Sequence, residues 1–128
     1  MKFLSLFLSL LLVFSIDMNA ELSNQQKREF KKTVENMRGV LPRRINAMTT
    51  MIDSRMEGST LIFTAQIDTA GRQMTPYAKT YMSDYVKDQY CRPPYEYLDA
   101  GLIIETKYYD EKGKYLLTAT ASKRICGR

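Results

Sequence analysis

Two cysteines, Cys91 and Cys126, lie downstream of a segment that reads as an export signal, and this combination limits the possible folds more than any other feature. Lys2 gives a positive start, and Phe3 to Ile16 is an apolar run broken only by serines. Met18-Asn19-Ala20 ends in a small residue where a signal peptidase can cut. The run of ~14 residues is short of the roughly 20 that span a bilayer, so a removed signal is expected rather than a retained anchor. Residues 1–20 are therefore read as signal peptide and 21–128 as one domain, placed in the periplasm or secreted. An oxidising compartment favours pairing of the two thiols.

A domain of this size supports a modest core and gains from a covalent staple. A Cys91–Cys126 bond closes a loop of ~36 residues, which chain entropy values at roughly 3.5–4 kcal/mol. The alternatives are a metal site or a redox couple. Two sulfurs would need further ligands, and the chain has no histidine. A redox couple is more often a close C-x-x-C. A structural disulfide is the expectation, with no metal and no cofactor.

The missing histidine also excludes serine-histidine and cysteine-histidine catalysis. Carboxylate pairs remain, Asp84 with Asp88 and Glu96 with Asp99, but both read as solvated surface. There is no glycine-rich phosphate loop, so an enzyme is not expected.

Ser23-Asn24-Gln25-Gln26 has the form of a capping box. Phe30, Val34, Met37 and Leu41 follow at helical spacing, and Gly39 and Pro42 end the helix. Thr50, Ile52, Ser54 and Met56 alternate before Gly58-Ser59, and Leu61, Phe63, Ala65 and Ile67 alternate after it. A two-residue turn pairs Met56 with Leu61, Ser54 with Phe63 and Ile52 with Ala65. Thr75-Pro76 starts a second helix, with Tyr77, Ala78, Tyr81, Met82, Tyr85, Val86 and Gln89 as a broad stripe running to about Tyr90. Arg92-Pro93-Pro94 breaks it, and Tyr95 to Ala100 adds a turn. A second hairpin turns at Asp110 to Gly113, pairs Tyr108 with Tyr115 and Ile104 with Ala119, and continues to Ile125. The predicted class is α+β: a mainly antiparallel four-stranded sheet of two hairpins, two main helices, order α-β-β-α-β-β, and one disulfide.

These registers place Met51, Ile62, Ile103 and Leu116 on the sheet face opposite the main apolar set, with Tyr109 and Thr118. A solvated face would alternate more polar residues. Either one helix covers each side, making these residues core, or both helices share one side. The second case leaves Met51, Ile62, Ile103, Tyr109 and Leu116 as a partner-binding surface.

All nine tyrosines fall between Tyr77 and Tyr115. A recognition surface is one reading; half-buried core with hydroxyls at the rim is the commoner one. Lys and Arg number 19 against 14 Asp and Glu, a net charge of +5. Weak attraction to anionic surfaces follows. Export argues against nucleic acid as a partner.

The stretch from Leu61 to Gly127 resembles the beta-type pilotins of the type II secretion pathway. The resemblance rests on the turn at Gly58-Ser59-Thr60, the helix ending in Tyr85 to Cys91 and the Pro-containing segment leading to Ala100-Gly101. Tyr108, Asp110, Gly113 and the closing Cys126-Gly127 complete it. It implies a small periplasmic protein that binds the C-terminal segment of a secretin subunit and escorts it to the outer membrane. Most family members carry a lipid on an N-terminal cysteine. No cysteine occurs near Ala20, so no lipid anchor is expected. The expected function is an exported binding or assembly factor for another envelope or secretion-system protein. The alternative is a small secreted effector or inhibitor.

Overall fold

The computed structural model describes residues 22–128; the segment read as a signal peptide, 1–20, lies outside the described residues. Helix α1 (Asn24–Arg38) starts as its sequence predicts. The Gln26 N–H donates to Ser23 Oγ at 3.1 Å, and the Ser23 N–H donates to Gln26 Oε1 at 2.8 Å. Such a cap is worth about 1 kcal/mol. Phe30 and Val34 are buried, and the helix closes at Gly39, whose N–H donates to the Asn36 carbonyl, followed by the Val40 N–H to that of Met37.

Five strands follow the order β1 (Arg43–Arg44), β2 (Thr49–Glu57), β3 (Thr60–Ile67), β4 (Ile103–Asp110), β5 (Tyr115–Ala121) across one sheet. Between β3 and β4 come α2 (Pro76–Tyr90) and the single-turn α3 (Glu96–Asp99). This corrects the expected four-stranded antiparallel arrangement. Among the described residues the sheet has five strands, three helices accompany it, and β3 pairs with β4 in parallel. The cause is the connection between the hairpins. A strand, a helix running back across the sheet and a second strand return the chain to its starting end, so the flanking strands run the same way. The extra strand β1 is two exposed arginines, with Arg43 opposite Met51 and Arg44 opposite Thr50. Two residues carry no alternation from which a strand could be read.

The first hairpin keeps the expected register from Glu57↔Thr60 through Ser54↔Phe63. Beyond Asp53 the register shifts: Ile52 has no partner, and Met51 rather than Ile52 lies opposite Ala65. The second hairpin departs more. Tyr109 lies opposite Tyr115, Tyr108 opposite Leu117 and Ile104 opposite Ala121, leaving Leu116 as the extra residue. The turn shifts the pairing by one residue and the bulge by another, so every pair before Tyr109 lies two residues from its expected position. Strand β5 stops at Ala121, not Ile125, and the tail turns back with the Cys126 N–H donating to the Ser122 carbonyl.

One row of register partners crosses four strands: Ser54, Phe63, Thr106 and Ala119. Its two ends of contact fix the layers. Ser54 Oγ donates to the Val34 carbonyl of α1 at 3.4 Å. Thr106 Oγ1 lies 2.6 Å from the Tyr90 hydroxyl of α2. Both long helices therefore cover the same face. Beneath α2, Ala65, Ile67, Tyr108, Leu116, Leu117 and Ala119 form the main core, with Met82 and Val86 against it. Leu22, Phe30, Ala100 and Leu102 form a second cluster. Each fully buried leucine or phenylalanine contributes about 1.5–3 kcal/mol.

Candidate functional site

The other face of the sheet has no described helix over it. Of the residues expected there, Ile62, Ile103 and Tyr109 share it; Met51 and Leu116 do not. Met51 is opposite Ala65 and packs against the main core, and Leu116 is buried within that core. The two bulges turn them inward, and no alternation pattern shows where a bulge will fall. Ile62 is 4% exposed despite its place on the bare face. Its register neighbours are Arg55 and Glu105, whose aliphatic stems can lie along it. Ile103 and Tyr109 are half-buried among Thr64, Gln66, Lys107, Thr118 and Thr120. Tyr109 meets the Tyr115 ring edge-on at 5.7 Å, and the Tyr115 hydroxyl lies 2.6 Å from Thr118 Oγ1.

A second surface lies on the outward side of α2. Tyr77, Tyr81 and Tyr85 are 80%, 64% and 56% exposed. Four-residue spacing on a helix sets them about 6 Å apart along one line. The adjacent line, Met82 and Val86, packs into the core. Ser83 Oγ donates to the Thr118 carbonyl at 3.5 Å, and Tyr90 reaches Thr106, which fixes the helix rotation and keeps the tyrosine row outside. The expectation of a half-buried tyrosine stripe thus holds for other members. Tyr108 is buried, and burial raises its phenol pKa well above the ordinary value. Tyr97 packs edge-on against Phe30 at 5.0 Å, and burial raises its pKa too. The stripe predicted on α2 was two adjacent lines, and a helix lying on one sheet buries only one of them.

The C-terminus is locked to the far end of α2. Cys91 and Cys126 form a disulfide with a Cα–Cα distance of 5.5 Å. Arg128 grips Asp99 through two 2.9 Å bonds, Nε to Oδ1 and Nη2 to Oδ2, and its guanidinium lies 3.5 Å from the Tyr95 ring centre. The hydrogen bond from Arg128 holds the Asp99 carboxyl below the usual carboxylate range. Asp84 and Asp88 stay exposed on α2, away from this pair. Among the described residues no group of three or more His, Cys, Asp or Glu could hold a metal ion.

No family model matches the chain, and no curated protein matches it by sequence. Solved structures do. The pilotin EpsS of the Vibrio vulnificus type 2 secretion system superposes with a TM-score of 0.63 at 13% identity, covering 83% of this chain and 99% of that one. The fold is that of the type II secretion pilotins. The pilotin AspS of Vibrio cholerae gives a TM-score of 0.55 at 16% identity, over 78% of this chain and 94% of its own. A Pseudomonas aeruginosa protein described as secreted gives 0.67 at 16% identity, over 78% and 91%. Among the described residues the long helices occupy one sheet face, leaving the other sheet face and the outer line of α2 uncovered.

Proposed function

We propose that the chain is an exported, pilotin-like assembly factor that binds a segment of another envelope or secretion-system protein. What supports the reading is the shared fold with two type II secretion pilotins over nearly their whole length. The partner proposed is the C-terminal segment of a secretin subunit. The tyrosine line of α2 is the docking surface: large rings with little side-chain entropy, already held outward, are suited to carry an interface. Ile103 and Tyr109 on the bare sheet face form the competing surface.

The test is titration of a peptide copied from the C-terminal segment of the secretin of the same cell. Replacing Tyr77, Tyr81 and Tyr85 by serine should weaken binding by about 30-fold or more without changing the fold. If only Ile103→Lys with Tyr109→Lys weakens it, the partner lies on the sheet. Peptide binding that is absent, or indifferent to both sets, refutes the assignment. A second reading, a small secreted effector or inhibitor, is favoured by the likeness to the Pseudomonas aeruginosa secreted protein. Under that reading the mature protein accumulates in the medium and the peptide does not bind.

A further inference from the structure

At the end of the sheet away from Cys91, a cleft of about 320 Å³ opens between the β3–α2 connection, the first turn of α2 and the β4–β5 turn. Its lining includes Arg72, Lys79, Lys112 and Lys114, against two carboxylates, Asp110 and Glu111. The four cations come from three separate parts of the chain. None of them forms an ion pair among the described residues, where the pairs are Arg38–Asp53, Arg55–Glu57 and Arg128–Asp99.

Both carboxylates are already occupied by backbone. Asp110 Oδ1 accepts from the N–H groups of Lys112 and Lys114 at 2.9 and 2.8 Å, which shapes the β4–β5 turn. Glu111 accepts from the Thr69 N–H at 2.8 Å, the Gly71 N–H at 3.0 Å and the Thr69 hydroxyl at 2.9 Å. Bonding by the Thr69 N–H, above all, holds its pKa down at about 2. Glu111 therefore works as a clamp between the two loops that form the cleft walls. The cleft exists before any ligand arrives, and its four cations outnumber its two carboxylates, leaving a net charge of +2.

We propose that this cleft binds a phosphate-bearing anion of at least two negative charges. Four cations converging on one concave site gain more from a compact polyanion than from a single carboxylate, because each added charge meets a cation already in place. Phosphate oxygens also accept several donors at once, and Arg72 supplies a planar fork to two of them. The same chemistry is offered by a soluble phosphorylated compound and by the headgroup of an anionic phospholipid.

The experiment follows backbone amide resonances of the mature protein during titration with pyrophosphate, then repeats binding with vesicles rich in phosphatidylglycerol. Shifts should concentrate at residues 69–74, 79 and 110–114. Arg72→Glu with Lys114→Glu should weaken pyrophosphate binding about tenfold or more, while Lys31→Glu with Lys32→Glu on α1 leaves it unchanged. Both variants should melt close to the unaltered protein. Vesicle binding displaced by pyrophosphate supports the site and makes the source a lipid; pyrophosphate binding without vesicle binding supports it and makes the source soluble. Shifts spread over every basic surface, equal losses in the two variants, or vesicle binding that pyrophosphate does not displace would each overturn the proposal.

Discussion

Deleting the oxygen of Tyr90 tests how α2 is held on the sheet. The Tyr90 hydroxyl and Thr106 Oγ1 are 2.6 Å apart, and Thr106 is 1% exposed in the middle of the row that links both helices to the strands. Tyr90→Phe leaves the Thr106 hydroxyl buried without that partner, at a cost of about 1–3 kcal/mol. Thr106→Val should cost less, about 0.5–1.5 kcal/mol, because Tyr90 is only half-buried and its hydroxyl can turn toward water. The double variant carries no orphaned hydroxyl, so its loss should be close to that of Thr106→Val alone. The coupling between the two sites then equals the Tyr90→Phe loss, about 1–3 kcal/mol. Urea unfolding followed by circular dichroism measures all four corners of this cycle, with the slope against urea expected to stay constant. Additivity to within about 0.5 kcal/mol would refute the argument, showing that the hydroxyls do not depend on one another.

Three further outcomes can be checked. Replacing Cys91 and Cys126 by serine opens a link across a sequence separation of 35 and should lower stability by about 3.8 kcal/mol, read by urea unfolding of the mature protein; a loss under about 1 kcal/mol contradicts it. Ala70 holds a φ of 55° in the turn where the Arg72 N–H donates to the Thr69 carbonyl, so Ala70→Gly should raise stability by about 1 kcal/mol, and a fall in melting temperature would show the strain is not there. Glu111 and Asp99 both have folded-state pKa values below their unfolded ones, Glu111 at about 2 from an ordinary 4.5. Their contribution is complete above the unfolded values and is lost as pH falls toward about 2, so the urea midpoint should drop across that interval and Glu111→Gln should flatten the drop.

Much of the local structure was legible in the chain. Ser23 with Gln26, and Thr75 with Pro76, mark helix starts because their side chains and ring can meet the orphaned N–H groups in only a few ways. The Gly58 turn fixed half of the first hairpin because Gly58 supplies the positive φ of 59° that a two-residue turn needs. What sequence reasoning missed was non-local. Each hairpin satisfies its own alternation, and nothing in that alternation states which strand of one meets which strand of the other. The length of the helical connection between Ile67 and Ile103 was the available signal for parallel pairing. The partner surface suffered from the same limit. A single inserted residue at Ile52 or Leu116 reverses which side chains face inward, so Met51 and Leu116 were placed on the wrong side of the sheet while Ile103 and Tyr109 were not. The outward tyrosine line could have been separated from the Met82–Val86 line by its angle around the helix.

The two-residue strand β1 bears on how the molecule behaves when crowded. A β-sheet ends in a row of unpaired backbone groups, a template onto which another chain can add. Here that boundary is Arg43–Arg44 over Thr50 and Met51, positively charged and too short to register a foreign strand, and then β2 itself, which carries Asp53, Arg55 and Glu57. On the opposite boundary the Ser83 hydroxyl already holds the Thr118 carbonyl. The protein therefore meets copies of itself with one margin set with charges and another that is partly closed. A sheet of this kind can keep a face free for a partner without being drawn into fibres.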